Sequence, residues 1–368
     1  MNAFTATQLN VIQLAENPSK LLQAWQQLKN QHEGPLPLFP REAAEQLGVT
    51  EAQLLASRCG VGVTRITADW RELIEQLPQL GKVKSQTRNA HAVHIHQGEY
   101  SNIDFESFGG KVGAVDGTLE LRYFLYRWSS AFAVSDSMKD GNEVLSLQFF
   151  DKYGTAIQKI YLLPESNLET YHALIEKYKD SDQSTHQTIE PMPSKTITAP
   201  DSDIDVESLR QAWAALTHTH DFHPMLKKFK VARQQALRLA GQQWAEPVNI
   251  SSVHRILKEV SEIKLPIMVF VGNNNALQIY SGKIDNVKSM YGWLNILDDG
   301  FHFHLLEEAL STATAWIVRK PTSEGLVRSL EIFAKDDDDD LMVTFFGKRR
   351  PGEVQNPKWA ELAEGLLL

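Results

Sequence analysis

The spacing of apolar residues changes several times along this chain, and each change marks an element. Leu21, Leu22, Trp25 and Leu28 recur at helical intervals and predict one amphipathic helix within residues 1–36, closed by Gly34-Pro35. Pro37 and Pro40 mark a loop, Arg41 to Leu47 predicts a short helix ending at Gly48, and the capping box Thr50-Glu-Ala-Gln53 opens another with Leu54 and Leu55 on its buried side. A helix over Asp69 to Leu77 follows, and then the period drops to two. Ala92-Val-His-Ile-His, Leu119-Glu-Leu-Arg-Tyr-Phe-Leu and parts of Leu145-Ser-Leu-Gln-Phe-Phe alternate apolar and polar positions. They are bounded by turn residues at Asp116-Gly117, Asp140-Gly-Asn142 and Lys152-Tyr-Gly154, and read as successive antiparallel strands. Leu168 to Tyr178 reads as the helix that closes this half.

Asp180 to Asp205 breaks the pattern. Pro191, Pro193 and Pro200 stand there among Ser, Thr, Asp and Gln, a composition with too little apolar surface to order itself strongly. The pattern then starts again. Leu47-Gly-Val-Thr-Glu-Ala-Gln-Leu-Leu aligns with the stretch from Phe229 to Leu237 at an offset of 182, and Ser146-Leu-Gln-Phe-Phe aligns with Ser329-Leu-Glu-Ile-Phe at 183. The second half predicts a helix at Ser252 to Glu262 and a last helix near Trp359 to Leu366. Its strands are expected near Ile267 to Val271, Ala276 to Ser281, Phe301 to His304, Ala315 to Arg319, Leu330 to Ala334 and Met342 to Phe346. The expected fold is α+β: a tandem structural repeat of 1–179 and 206–368 joined by a linker at 180–205, each half a few helices plus an antiparallel β-sheet, with a ligand cleft between the halves.

Composition narrows the function. Hydrophobic residues make up 42% and charged residues 23%, ordinary for a chain that buries a core. A net charge of -9 argues against a general binder of nucleic acid or anionic membrane, so an anionic ligand would need a local basic patch. The single cysteine, Cys59, excludes an internal disulfide framework and any Cys-rich metal site. The start lacks the basic and apolar regions of a signal peptide, and no stretch approaches about 18 apolar residues, so a cytoplasmic protein without stable membrane insertion is expected.

The candidate chemistry concentrates between Thr217 and Arg238, where a helix ends in His218, His220 and His223, a basic run follows, and a second helix opens with Arg233. Zinc is disfavoured: His220 and His223 are three apart, and Pro224 indicates that the helix has ended or is restarting. On spacing alone these are solvated loop histidines, yet an imidazole beside several Lys and Arg also suits a dianionic, iron-centred ligand. His91, His94 and His96 read as polar positions of a half-exposed strand, and Asp336 to Asp340 as a solvated turn without the Gly and closing Glu of a calcium loop. The paired helices around Gly48 lack the basic face of a DNA reader.

Trp213-Ala-Ala-Leu-Thr-His-Thr-His-Asp-Phe-His, Thr87-Arg-Asn-Ala-His-Ala-Val-His, Leu119-Glu-Leu-Arg, Ile267-Met-Val-Phe-Val-Gly-Asn and Trp316-Ile-Val-Arg-Lys-Pro-Thr occur in this order. Over roughly residues 40 to 350 the chain resembles the HemS/ChuS-type cytoplasmic haem-utilisation proteins, also called hemin-degrading factors. The resemblance implies haem as ligand, His220 as axial ligand to its iron, and Arg233 and Lys320 as cations for its propionates. It implies Arg122 on the opposite face of the haem, and it sets Phe346 and Arg349 on a family Tyr-Gly-x-Arg, with Phe in place of the tyrosine. His218 and His223 are extra imidazoles that could substitute for His220. Two functions are compatible: a cytosolic carrier passing haem from an ABC transporter to a degrading enzyme, or a haem oxygenase-like enzyme that opens the ring itself, with Arg122 as the distal residue. A binding module for some other ligand is a third reading.

Overall fold

The computed structural model describes residues 14–34, 37–107, 110, 112–137, 141–194, 198–335, 340–350 and 352–367. The first half runs α1 (Pro18–Gln31), α2 (Pro40–Leu47), α3 (Glu51–Ala56), β1 (Val63–Ile66), α4 (Trp70–Gln76), β2 (Lys82–Arg88), β3 (Ala92–Glu99), β4 (Ile103–Asp104), β5 (Gly113–Asp116), β6 (Glu120–Tyr123), β7 (Trp128–Ser137), β8 (Glu143–Asp151), β9 (Ala156–Leu162) and α5 (Leu168–Tyr178). The second runs α6 (Val206–Ala214), α7 (Phe222–Phe229), α8 (Arg233–Ala240), β10 (Ala245–Val248), α9 (Ser252–Glu262), β11 (Ile267–Gly272), β12 (Ala276–Gly282), β13 (Val287–Met290), β14 (Trp293–Asp298), β15 (Phe301–Leu306), α10 (Glu307–Thr312), β16 (Thr314–Thr322), β17 (Gly325–Phe333), β18 (Leu341–Gly347) and α11 (Pro357–Glu364).

The chain forms two compact units. One takes residues up to 87, 96–193 and 273–277; the other takes 88–95, 194–272 and 278–368. Within the first the strand order includes β1-β7-β8-β9-β2 and β4-β5-β6; within the second it includes β10-β16-β17-β18-β11 and β13-β14-β15. The pairings are antiparallel throughout these runs. Apart from α10, the second half repeats the element order of the first, as the two sequence offsets predict.

A matching turn shows the duplication at atomic detail. Asn89 Oδ1 accepts from the backbone N–H of His91 and Ala92 at 2.9 and 2.8 Å, and Asn273 Oδ1 accepts from Asn275 and Ala276 at 2.9 Å each. The amide nitrogens then pin backbone carbonyls, Asn89 on Met342 at 2.9 Å and Asn273 on Ile157 at 3.0 Å. Such local side-chain bonds to backbone suit asparagine in a tight turn.

Local signals hold where caps are strong. Thr50 Oγ1 accepts from Gln53 N and Gln53 Oε1 from Thr50 N, completing the predicted capping box, and Gly48 ends α2 in the left-handed region at φ 68°. The helix expected at 1–36 is described from α1 onward; Pro35, Asp140 and Asp336 to Asp339 lie outside the described residues.

Strand polarity differs from expectation in the centre of the sheets. β8 is buried without a break from Ser146 to Asp151, because its two faces meet different cores. Leu147 and Phe149 pack with Ala131 and Ala133, whereas Phe150 packs with Phe132, Val134 and α3. Covering both faces removes the alternation that a one-sided antiparallel strand would show. On β3, likewise, His94 is fully buried beside Phe301, ring centroids 5.1 Å apart, while Val93 and Ile95 are only partly buried. The half-exposed reading of this strand had its faces inverted.

The segment from Asp180 to Thr188 is ordered by hydrogen bonds rather than by apolar burial. Asp180 N donates to Arg65 O at 3.0 Å, Arg65 N donates to Gln183 Oε1 at 3.0 Å, and the Arg65 guanidinium donates to the carbonyls of Ser184 and His186 at 3.1 and 2.9 Å. Strapped along β1, the segment uses backbone groups that an edge strand leaves unpaired. Arg65→Met is expected to release the strap, giving new protease cuts between 180 and 190 and a loss of about 1–3 kcal/mol as the charge-assisted hydrogen bonds to Ser184 and His186 are lost. Limited proteolysis beside urea unfolding checks this, and an unchanged digestion pattern would assign the order to the strap itself.

Candidate functional site

The histidine cluster is built on the end of α6. Trp213, wholly buried, donates its indole N–H to Arg319 O at 2.9 Å and fixes the last turn of that helix. The carbonyl of Thr217 accepts from Ser323 N at 2.9 Å, tying the following loop to the turn between β16 and β17. His218 then caps a 3-10 turn, Thr219–Asp221: its Nδ1 accepts the backbone N–H of His220 at 3.2 Å, and the two rings lie 4.5 Å apart. This gives His218 a structural use and sets His220 on an exposed crest. His223, also exposed, stands in the first turn of α7 with Pro224, where proline forfeits no helical hydrogen bond. The helix restarts, as Pro224 indicated it could.

Phe222 connects the crest to a buried charge cluster. Its ring meets Trp213 edge-on, centroids 4.7 Å apart, and carries the Arg233 guanidinium at 5.2 Å and the Lys320 ammonium at 4.6 Å. Both cations converge on Glu331, which has no exposed surface. Arg233 grips it side-on, Nε to Oε2 at 2.8 Å and Nη2 to Oε1 at 2.9 Å, while Lys320 Nζ lies 2.5 Å from Oε1. Ser329 Oγ also donates to Oε1 at 3.0 Å.

Register explains the convergence. Val318 pairs with Ser329, and Ser329 with Phe346, so Lys320 and Glu331, two residues along their strands, share that sheet face with Phe346. The same face carries the helical layer of α6, α7 and α8, and the opposite face carries Ile317, Leu330 and Phe345 in the other core. Burial pushes the Lys320 ammonium down to about 8, with Glu331 pulling it up and Arg233 pressing it down. Burial pushes Glu331 up as well, but Arg233 and Lys320 outweigh it and hold the carboxyl far below the usual range.

The other candidate residues take distinct places. Phe346 is half-buried, its ring 5.7 Å from Lys320 Nζ and 5.0 Å from Phe270. Arg349 donates to Glu353 O at 3.0 Å and lies 3.9 Å from Glu324, the neighbour of Ser323. The second unit therefore gathers His220, Arg233, Lys320, Phe346 and Arg349 around β16–β18 and the ends of α6 and α7. Arg122 belongs to the first unit. On β6, between the buried Leu121 and Tyr123, its guanidinium meets Asp116 Oδ1 at 2.7 Å and donates to Leu121 O at 2.8 Å.

Two residues escaped the sequence reading. Phe222 stands between two histidines in a stretch that reads as loop, and Glu331 sits in a strand where a lone acid reads as solvent-facing. Only register and the helical layer reveal that both are buried. Among the described residues no group of three or more His, Cys, Asp or Glu could hold a bare metal ion. A porphyrin iron asks for a single protein ligand on a face, which an exposed imidazole beside a cationic cluster supplies.

Comparison with known proteins gives the family and the fold. The family model described as the haemin-degrading HemS.ChuX domain matches twice, at residues 48–178 and 230–366, once in each half. A hemin transport protein, HmuS of Yersinia pestis, is 34% identical over 354 residues, covering 95% of this chain and 98% of that protein. The crystal structure of holo-PhuS, a heme-binding protein from Pseudomonas aeruginosa, superposes with a TM-score of 0.89 at 37% identity, covering 95% of this chain and 99% of that one. ChuS, described as an E. coli heme oxygenase, superposes with a TM-score of 0.82 at 31% identity, covering 95% and 100%.

Proposed function

This chain belongs to the HemS/ChuX haemin family, and on that premise we propose that it binds haem through His220 and carries it in the cytosol from an uptake transporter to the site of iron release. The observation that carries the reading is the exposed His220 imidazole, set by the His218 cap and joined through Phe222 to Arg233 and Lys320. Bound haem supplies a Lewis-acidic iron, a flat apolar face and two carboxylates. His220 offers the iron a nitrogen; Arg233 and Arg349 offer the carboxylates guanidinium forks, which suit bidentate recognition. Phe346 offers an apolar edge where a tyrosine would offer a hydroxyl, so this position contributes packing and no proton. The described helices include none long and apolar enough to cross a membrane.

The second reading, ring opening by the chain itself, is favoured by the relative described as a heme oxygenase, with Arg122 as its distal residue. In that case Asp116, 2.7 Å from the Arg122 guanidinium, would set the orientation and charge that Arg122 offers, so Asp116→Asn would alter turnover without altering haem affinity.

Hemin titration of the purified chain, followed by absorbance in parallel with His220→Ala, tests the proposal. A saturable band of one hemin per chain is expected for the wild type, with an altered band and affinity lower by about tenfold or more in the variant, as for loss of a metal ligand. An unchanged spectrum in His220→Ala, persisting when His218 and His223 are also replaced, would end the axial-ligand assignment. Adding a reductant with catalase present separates the two readings: ring-opened products mark an enzyme, intact haem a carrier.

A further inference from the structure

Resting on that reading of the second unit, we propose that Glu331 is its positioning residue: a buried carboxylate that holds Arg233 and Lys320 in place before any ligand arrives. It orients the guanidinium that receives a haem carboxylate.

The geometry carries three steps. First, the grip is side-on, through the Nε and Nη2 donors of Arg233 at 2.8 and 2.9 Å. The guanidinium plane is thereby fixed, and its end-on Nη1–Nη2 edge is turned away from Glu331. Second, the two cations stand in tiers. The Arg233 side chain is 23% exposed, whereas that of Lys320 is 4% exposed, behind Glu331 and against the rings of Phe222 and Phe346. A ligand reaches Arg233 first, and Lys320 acts by keeping Glu331 ionised. This differs from the direct propionate contact that the family resemblance implies for Lys320. Third, the glutamate is not a simple neutraliser. With Glu331 replaced by Gln, the buried ammonium loses the partner that sustains its proton, so Lys320 turns neutral and the cluster keeps about the same net charge, that of Arg233 alone. What Glu331→Gln removes is orientation.

The test is hemin titration of the full chain as wild type, E331Q, E331D, R233A and R233A/E331Q, with near-ultraviolet circular dichroism reporting the fold. E331Q is expected to bind hemin about tenfold to a hundredfold more weakly, the scale of one charge-assisted hydrogen bond. E331D, which keeps the charge but is one methylene short of spanning both cations, falls between E331Q and wild type. In the R233A background the E331Q change adds nothing, since the glutamate acts through that arginine. Hemin dimethyl ester, lacking the carboxylates, binds wild type and E331Q equally. A folded E331Q with wild-type affinity overturns the proposal, and so does a full E331Q penalty persisting in R233A or with the ester. If E331Q does not fold, E331D decides by the same two comparisons. Wild type failing to bind hemin would instead overturn the functional reading beneath it.

Discussion

Replacing Phe222 with alanine is expected to cost about 3–5 kcal/mol of folding stability, the usual range for truncating a buried aromatic, and to loosen the His220 turn in the same step. The ring is almost fully buried, packs edge-on against Trp213, and supports both Arg233 and Lys320. Alanine would leave a cavity directly beneath two cations, one of which is almost wholly buried. The 3-10 turn bearing His220 ends one residue before Phe222, so its position depends on that anchor. Urea unfolding and hemin titration should therefore fall together in Phe222→Ala. Phe222→Leu separates the contributions: it keeps most of the volume but loses the ring face, so about 1–2 kcal/mol is expected, of which cation–π loss at a desolvated site is a large part. If Phe222→Ala bound hemin like wild type, the crest would be held by Thr217 and His218 alone.

The elements that could be read from sequence are those whose signals are local. The capping box at Thr50, the helix at Leu168–Tyr178 and the helix at Ser252–Glu262 appear where they were expected because caps and helical periodicity belong to neighbouring residues. The strands buried on both faces, β8 above all, hid their period because the second face is covered by helices from elsewhere in the chain. The candidate site shows the same division. His220 and Arg233 could be picked out as residue types in a basic stretch, and the resemblance added Lys320. That Lys320 is buried and that Glu331 joins it to Arg233 depends on the pairing of β16 with β17 and on α7 above them, and no local pattern encodes either.

The duplication also explains why one half differs from the other at this place. Ser146 pairs with Val134 and Tyr161, as Ser329 pairs with Val318 and Phe346, so the two sheets share a register. Gln148 stands where Glu331 stands, and by the 182-residue offset Glu51 stands where Arg233 does. In the first unit Glu51 instead meets Lys159 at 2.7 Å, with both side chains less than a tenth exposed. The helix N-terminus there carries an acid, and its basic partner comes from β9, beside Gln148, rather than from the position of Glu331. That buried pair offers no guanidinium to a carboxylate ligand, consistent with one hemin per chain in the proposed titration.

Acid should destabilise the chain well before its carboxylates titrate, because two partly buried histidines are held in neutral form. His304 on β15 faces Asn295 on β14, its Nδ1 2.6 Å from Asn295 Oδ1. The Asn295 amide nitrogen donates to Trp293 O at 2.7 Å, which leaves Oδ1 as the acceptor and puts the imidazole proton on Nδ1. Burial pushes His304 down to about 4, with His302 adding to the effect, and burial pushes His96 down to about 4 as well. Both folded values lie below the unfolded value near 6.5, so between those limits the unfolded chain binds more protons than the folded one. The stability is fully present above pH 6.5 and is lost as pH falls through 4, at about 3 kcal/mol for each histidine as an upper range. Urea midpoints measured across that window should fall steeply for the wild type and by about half as much for His304→Gln. At neutral pH that variant gives up one neutral hydrogen bond, about 1 kcal/mol. A wild-type slope retained in His304→Gln would mean that this imidazole protonates in the folded chain, and that the hairpin of β14 and β15 opens enough at mild acid to let water reach it.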